Sequence, residues 1–367
     1  MENSRDELDR DWLACKHILC IRADHMGDLL MSTPAIAALK GSIRCRITLL
    51  TSTKAAAVAR LIPDIDHIIV ADLQWMKLNA DPGPLLLQNL IKLLTLQKFD
   101  GCVIFSVYSQ QTIAAAMLAY LAGIPLRLAY SRENPYYLLT HWVPDPEPYF
   151  YISHQVERDM DLVRMIGAVV QEKSLRIHLS DHSLTAAIVK ASSRGINLLQ
   201  PYIILHPGVS EDKRKYPEQL WVSVGQALVA IFGVPILITG SEQESALADG
   251  IATAIGNYAT AVAGWFDLEE FGWVIKKALT LVSVNTGTIH LAAAIGKPLV
   301  VLYAQTNPQH TPWMVRCKIL EYTVPEAQRS KNQVVAFVNK QYYTNEFPYP
   351  TAIEVVNAVK ALLNAEK

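Results

Sequence analysis

The residue that first suggests chemistry is an aspartate in the turn after a short apolar run. Residues 18–21 are apolar and are typical of a buried parallel strand, and the polar turn 22–28 that follows ends in Gly27 and Asp28. The glycine is expected to let the backbone turn there. In doubly wound sheets ligands bind beyond the carboxyl ends of strands. Asp28 is therefore a candidate to accept a proton or hold a ligand, and equally a candidate to cap the next helix.

The helix after this turn is predicted to begin several residues later. Ser32 or Thr33 would serve as the N-cap, and Pro34 suits the first helical position. Apolar residues recur on one face from Ile36 onward. Strand, turn and helix together indicate the first βα unit of a parallel sheet.

A second group of candidates lies at the end of an apolar run in the other half of the chain. The segment VNTGTIHLAAAIGKP places Asn285, Thr286, Gly287 and Thr288 between a predicted strand and a predicted helix. A helix N-terminus offers unpaired N–H donors and partial positive charge, which suit a diphosphate. His290 falls one turn into that helix, where a lone histidine is more often structural than a ligand contact.

Two further turns carry charge. Lys213 and Arg214 stand in a basic turn after the run 202–205 and would neutralise a leaving diphosphate, although such a turn can also be simply solvated. Glu244 follows a third apolar run and could accept hydrogen bonds from ribose hydroxyls, or could be an ordinary first-turn glutamate.

The elements that must position these residues alternate between strand and helix in two series. One series runs to about residue 121 and the other begins near residue 202, which predicts two Rossmann-like domains with a boundary near 180. We expect domains at 1–180 and 181–350 and a final helix over 351–367. Residues 316–350 are predicted to be irregular.

The alternation also stops between residues 130 and 151, which are dense in aromatic residues and proline. This stretch is interpreted either as a packed irregular surface loop or as an acceptor-binding insertion, because flat rings stack on sugar faces and apolar ligands.

Composition excludes several classes of protein. A chain of 367 residues is too long for one ordinary hydrophobic core, which indicates two domains. A net charge of −1 gives no indication of a large basic surface for nucleic acid. The five cysteines form no CxxC pair, and an odd count is typical of reduced thiols. Neither a dinucleotide fingerprint nor a P-loop is present, and the histidines have no metal-ligand spacing. The DxD pairs at 64–66 and 159–161 are interpreted as surface charge.

The first 17 residues are polar and charged, without the apolar core of a signal peptide, and no run of 18 apolar residues occurs. We therefore expect a cytoplasmic protein, whose contact with the inner membrane, if any, is peripheral.

Four blocks of this sequence resemble glycosyltransferase family 9, the ADP-heptose:lipopolysaccharide heptosyltransferase family. They span residues 18 to about 310 in the family's order: IRADHMGDLLMSTPAIAALK, HQVERDMDLVRMIG, HPGVSEDKRKYPEQLW and VNTGTIHLAAAIGKPLVVLYAQTNP. The resemblance implies an α/β GT-B fold, with two Rossmann-like domains whose parallel sheets face an interdomain cleft. It also implies metal-independent, inverting sugar transfer without a cofactor, and a final helix that packs back on the N-terminal domain.

The resemblance assigns roles by position. Asp28 matches the catalytic base of an acceptor domain, Arg214 matches the lysine of a K-x-W-P pattern, and Glu244 matches an acidic residue near the nucleotide ribose. The residues that match the donor motif D-T-G-x-x-H are Thr286, Gly287 and His290.

Two departures from the family pattern leave the identity of the transferred sugar undetermined. Asn285 replaces an aspartate, which drops a charge, and Arg214 replaces a lysine, which changes a point charge into a planar fork. The sequence thus predicts a glycosyltransferase that moves a sugar from a nucleoside diphosphate, ADP favoured, to a glycan or lipid-linked acceptor such as lipopolysaccharide core. The alternatives are a sugar-nucleotide epimerase on the same fold and a non-catalytic sugar-nucleotide-binding protein.

Overall fold

The computed structural model describes residues 9–76, 81 and 83–364. In it the chain divides into two compact units, with the division between His178 and Leu179. Each unit is built on one six-stranded sheet in which every neighbouring pair of strands is parallel.

The first unit alternates strands and helices along the chain. Its strands are β1 (His17–Arg22), β2 (Arg46–Thr51), β3 (His67–Val70), β4 (Gly101–Ile104), β5 (Leu126–Ser131) and β6 (His141–Pro144). Its helices are α1 (Arg10–Leu13), α2 (Met26–Ile43), α3 (Ala56–Ala59), α4 (Pro84–Gln97), α5 (Ile113–Leu121) and α6 (Gln155–Arg164). The sheet order is β3-β2-β1-β4-β5-β6, and the central β1 is buried along its whole length.

The second unit repeats this architecture. Its strands are β7 (Ile203–His206), β8 (Ile236–Ile238), β9 (Ala259–Ala261), β10 (Thr280–Val284), β11 (Leu299–Ala304) and β12 (Cys317–Tyr322). Its helices are α7 (Asp181–Ser192), α8 (Glu218–Phe232), α9 (Ser245–Ile255), α10 (Leu268–Lys277), α11 (Gly287–Ile295), α12 (Gln333–Tyr342) and α13 (Ala352–Asn364). The sheet order is β12-β11-β10-β7-β8-β9. Two parallel sheets with flanking helices confirm the predicted α/β architecture.

Helix α2 begins earlier than predicted. It starts at Met26, so Pro34 lies inside it and Gly27 is a helical residue of its first turn. Proline has no N–H for the carbonyl of Leu30 four residues before it. The hydroxyl of Thr33 donates to that carbonyl at 2.7 Å instead, which lets the helix continue through the proline.

Two stretches predicted to be irregular contain regular elements. Residues 316–350 include β12 and α12, and residues 130–151 include the end of β5 and all of β6. Both missed strands lie at a sheet edge, where only one neighbour pairs with them. Their side chains are largely half-buried or exposed, so they lack the continuous apolar run that marks a central parallel strand.

The final helix packs into the core of the second unit. The apolar side of α13 is buried at Val355, Val356, Val359 and Leu362, and the helix contacts α8, β11 and β12. The expectation that it reaches the N-terminal domain stays a prediction.

Candidate active site

In the first unit, Asp28 is the third residue of α2 and caps that helix. Its Oδ2 accepts a hydrogen bond from the backbone N–H of His25 at 3.2 Å, and its side chain remains 15% exposed. Both roles considered for this residue are therefore compatible, since one carboxylate oxygen fixes the side chain and part of the group reaches the surface. The turn after β1 consists of Ala23, Asp24 and His25.

Beneath Asp28 lies a fully buried guanidinium. Arg22 is the last residue of β1, with its Nε 3.3 Å from Asp24 Oδ2 and its Nη2 3.7 Å from Asp28 Oδ1. Burial alone would lower the pKa of Arg22, but the surrounding carboxylates, Asp24 first, raise it above its usual value. Burial raises the pKa of Asp24, and Arg22 only partly opposes this. The turn thus holds a permanent positive charge under two carboxylates.

A third carboxylate contributes to this cluster, and the interpretation of the pair 159–161 as surface charge is wrong for it. Asp159 is completely buried in α6, where it accepts hydrogen bonds from Ser32 Oγ at 2.6 Å and from Gln155 Nε2 at 2.8 Å. Burial raises its pKa, against the lowering effect of Arg22. The residue is buried because α6 packs against α2. The signal in the sequence was the mixture of polar and apolar residues on one face of α6.

The aromatic stretch 130–151 is anchored by Arg158, the residue before Asp159 in α6. Arg158 holds both carboxylate oxygens of Asp145, at 2.8 and 2.9 Å, and Glu147 Oε2 at 3.0 Å. Its guanidinium also lies 4.3 Å from the ring centroid of Tyr130. The base of the stretch is therefore firmly packed, while Phe150 stays 86% exposed. Its use as an acceptor-binding insertion stays a prediction.

In the second unit, the end of β10 leads into the N-terminus of α11. Thr286 is the N-cap and Gly287 the first helical residue, so the first-turn N–H groups point out of the helix with its partial positive charge. The Thr286 hydroxyl is buried and makes no hydrogen bond within the described residues. This end of the helix is built to receive an acceptor-rich group.

The basic turn after β7 supplies a cation at the same place. Arg214 donates from Nη1 to the carbonyl of Asn285 at 3.1 Å, and its Nη2 lies 3.1 Å from Glu211 Oε2. Its Nε is buried without a hydrogen-bond partner in the part of the chain described. Lys213 also pairs with Glu211, at 3.3 Å, whereas Lys215 pairs with Asp212 at the exposed surface.

Glu244 reaches from the loop after β8 to the turn after β7. Its Oε2 accepts hydrogen bonds from the N–H and hydroxyl of Ser241, at 2.7 and 2.9 Å, as the cap of the helical segment. A Cβ on Gly208 would lie 2.3 Å from Oε1 of Glu244. The glycine therefore makes room for this carboxylate beside the turn.

His206, which was not among the sequence candidates, links the end of β7 to the turn after β8 and to the start of α11. Its Nδ1 lies 2.9 Å from Thr239 Oγ1 and its Nε2 lies 3.0 Å from Thr288 Oγ1. Burial lowers its pKa to about 4, and the nearby Glu244 carboxylate only partly opposes this. The neutral ring thus connects β7 to the residue after β8 and to α11 through these two hydrogen bonds. The feature of the sequence that could have identified His206 is its position as the last residue of a buried strand, before a glycine turn.

Two predicted binding residues of this site are engaged in the fold. The side chain of Asn285 donates to the Ala304 carbonyl at 3.2 Å and to Thr306 Oγ1 at 3.0 Å, and accepts from the Ala304 N–H at 3.2 Å. His290 is buried inside α11, with its ring centroid 6.3 Å from that of His310. Asn285 thus links the ends of β10 and β11.

Comparison with known proteins adds a family to this geometry. Residues 88–339 match the model of "Glycosyltransferase family 9 (heptosyltransferase)", which is more than half of the chain. The chain belongs to glycosyltransferase family 9. It is a glycosyltransferase, and the resemblance found in its sequence blocks is confirmed.

Individual relatives of this family 9 protein are distant in sequence and close in fold. Lipooligosaccharide heptosyltransferase 2 of Haemophilus influenzae is 21% identical over 309 residues, which cover 81% of this chain and 85% of the relative. A family 9 glycosyl transferase from Veillonella parvula has a TM-score of 0.77 at 17% identity, covering 99% of this chain and 100% of that one. Escherichia coli ADP-heptose lps heptosyltransferase II has a TM-score of 0.70 at 20% identity, covering 95% and 99%. These structures establish the GT-B fold.

Across the described part of this family 9 chain, no group of three His, Cys, Asp or Glu side chains is placed to hold a metal ion. Among the same residues, no helix has the length and apolar character needed to cross a membrane.

Proposed function

We propose that this family 9 protein transfers a heptose from ADP-heptose to the core of lipopolysaccharide, with inversion and without a metal ion. The names of its relatives support this choice of donor and acceptor, since one is called a lipooligosaccharide heptosyltransferase and another an ADP-heptose lps heptosyltransferase. The second unit is the donor domain in this proposal, and the first unit is the acceptor domain that carries the base.

The observation that carries the proposal is a pair of buried polar atoms left without partners beside a helix N-terminus. In the described residues, Arg214 Nε and Thr286 Oγ1 are both buried without a hydrogen bond. Burying a polar group without a hydrogen bond raises the free energy of the folded protein, and a bound ligand can supply the missing partner. The positive end of α11 and the guanidinium select an anion with several acceptor oxygens, as in a diphosphate. Lys213 adds a second positive charge in the same turn.

The neighbouring turns suit the rest of a nucleotide. Glu244 Oε2 is held by Ser241, and the carboxylate stands beside the Gly208 turn, where it can accept from ribose hydroxyls. His206 is neutral and fixes Thr288, so it shapes the phosphate end of the site without adding charge. Asn285 holds the loop that presents Thr286 and Gly287, and we propose that it and His290, one turn into α11, complete the donor site.

The reaction needs one proton acceptor and one stabilised leaving group. The acceptor hydroxyl oxygen attacks the anomeric carbon from the face opposite the diphosphate, and its proton passes to the carboxylate of Asp28. The bond from the anomeric carbon to the phosphate oxygen breaks, and its electron pair leaves with ADP. Arg214, Lys213 and the N-terminus of α11 stabilise the charge that develops on the leaving diphosphate.

The first test is calorimetric binding of ADP, UDP, GDP and dTDP in buffer containing a chelator. We expect selective binding of ADP, with the affinity falling roughly tenfold to hundredfold in Arg214→Ala, because a charged hydrogen-bond donor contributes about 1.5–3 kcal/mol. Lys215→Ala is the matched control, since Lys215 lies in the same turn but pairs at the surface. Preference for another nucleotide would exclude ADP-heptose, and equal losses in both variants would exclude the Arg214 site.

The second test separates the base from the donor site. We expect Asp28→Asn to lower turnover roughly 10²–10⁴-fold while ADP binding stays as in the wild type. Wild-type turnover in this variant would contradict the role of Asp28. Product formed from the nucleotide sugar in the absence of acceptor would indicate an epimerase instead, and binding without turnover on any acceptor would indicate a binding protein.

We further propose that the protein works in the cytoplasm at the inner membrane, because a lipid-linked acceptor is held there.

A further inference from the structure

Helices α4 and α5 of the first unit present apolar side chains on both sides. Their inner sides, including Leu90 and Leu94 of α4 and Ala116 of α5, are buried in the core of the unit. A helix on the surface of a globular protein normally carries polar and charged residues on its outer side. Here the exposed residues of α5 are all apolar, and α4 exposes three leucines among its polar residues.

The exposed apolar residues lie on two neighbouring helices that pack against each other. On α4 they are Leu85 (67% exposed), Leu93 (40%) and Leu96 (78%), and on α5 they are Met117 (41%), Tyr120 (48%) and Leu121 (52%). We call these six residues the leucine face. Grouped exposed apolar residues of this kind mark an interaction site more often than scattered single residues do.

The charge on the two described helices of the leucine face is positive. Lys92 is the single charged residue of α4, α5 has none, and Lys98 directly follows α4. Both lysines are exposed, and neither forms an ion pair within the described residues. Two tyrosines, Tyr136 and Tyr137, are more than three-quarters exposed on a short helical turn that packs against α5. Leucines, lysines without carboxylate partners and peripheral tyrosines are the composition of a surface that lies in a lipid interface.

We propose that the leucine face docks on a bilayer containing anionic phospholipid. The leucines would enter the boundary between headgroups and acyl chains, and Lys92 and Lys98 would approach the phosphates. A second copy of this chain fits less well, because a two-fold contact through α4 and α5 would offer these lysines no carboxylate from either helix. The proposal rests on the proposed function only in that a lipid-linked acceptor requires the enzyme at a membrane.

The test is co-sedimentation of the full-length protein with phosphatidylcholine vesicles, with and without phosphatidylglycerol. We expect binding to the anionic vesicles that weakens as salt is raised. In Leu93→Glu/Leu96→Glu this binding should fall by roughly tenfold or more. Each substitution removes the favourable transfer of a leucine side chain from water into the bilayer and adds a negative charge. The matched control is Val189→Glu/Ile353→Glu, since these residues are also exposed, at 62% and 60%, on helices of the second unit. That control should bind vesicles like the wild type.

A second variant separates charge from apolar contact. Lys92→Glu/Lys98→Glu should remove the preference for vesicles that contain phosphatidylglycerol. No sedimentation of the wild type, or equal sedimentation of the leucine variant and the wild type, would overturn the proposal. So would a wild-type dimer that Leu93→Glu/Leu96→Glu converts to a monomer without any vesicle binding.

The outcome is independent of the donor site. ADP binding of the leucine variant should equal that of the wild type, since neither leucine belongs to the nucleotide site. Lost vesicle binding with intact ADP binding supports the leucine face, whereas a wild type that sediments but binds no nucleotide would overturn the proposed function alone.

Discussion

The side-chain amide of Asn285 donates a hydrogen bond to Thr306 Oγ1 at 3.0 Å. The same amide donates to the Ala304 carbonyl and accepts from the Ala304 N–H, so three bonds join the end of β10 to the end of β11. A donor is required at this position, because a carbonyl oxygen can only accept. This explains in physical terms why an asparagine can stand where the family pattern has an aspartate.

The first prediction concerns the reversion of this departure. Asn285→Asp should lower the free energy of unfolding by about 1–3 kcal/mol, because the carboxylate loses a donor and faces the Ala304 carbonyl in a buried place. Urea denaturation of the variant and the wild type measures this loss. ADP affinity should fall as well, since the same loop presents Thr286 and Gly287. A variant of wild-type stability that binds ADP more tightly would show instead that residue 285 contacts the donor directly.

The second prediction uses the tight approach of Gly208 to Glu244. In Gly208→Ala the new methyl group would overlap the Glu244 carboxylate, which is the far end of a flexible side chain and can swing away. We therefore expect little change in stability but a loss of ADP affinity similar to that of Glu244→Gln. Calorimetry on both variants and on the double variant measures this. Losses that add fully in the double variant would mean that the two residues act independently, contrary to this prediction.

The third prediction concerns the buried carboxylate of α6. Asp159→Asn replaces a carboxylate that lies close to the fully buried Arg22 and accepts a hydrogen bond from Ser32 Oγ at 2.6 Å. Because the buried guanidinium and the Ser32 hydroxyl then lose part of their compensation, the free energy of unfolding should fall by about 1–3 kcal/mol. Urea denaturation of the variant and the wild type measures this loss.

Asp161→Asn serves as the control for this experiment, because Asp161 lies in the same helix but is half-exposed and pairs with Arg164. Wild-type stability of Asp159→Asn would show that the buried Arg22 does not depend on this carboxylate. An equal loss in both variants would contradict a specific contribution of the buried position.

The fourth prediction is a dependence of stability on pH. Burial lowers the pKa of His206 to about 4. Between pH 4 and about pH 6.5, this histidine is therefore protonated in the unfolded chain and neutral in the folded chain. Stability at this residue is fully present above about 6.5 and is lost as the pH falls towards 4, by up to roughly 3 kcal/mol. Urea denaturation at several pH values over this range measures the slope.

His206→Gln keeps hydrogen-bonding groups near Thr239 and Thr288 but cannot titrate. Its slope over the same range should be smaller than that of the wild type. The same slope in both proteins would assign the pH dependence to other groups.

The sequence alone determined most of the fold. The central strands β1, β7 and β10 are continuous apolar runs because they are buried on both faces, and a local pattern of this kind is visible without any tertiary information. The place of Thr286 and Gly287, at the junction of a strand and a helix, was predictable for the same reason, as was membership of the glycosyltransferase family.

Only the tertiary structure decided the features that depend on distant partners. The burial of Asp159 arises from the packing of α6 against α2, where Ser32, 127 positions away in the chain, donates to it. The neutrality of His206 arises from complete desolvation between three elements. The edge strand β12 also escaped prediction, because pairing with β11, rather than its own composition, makes it a strand.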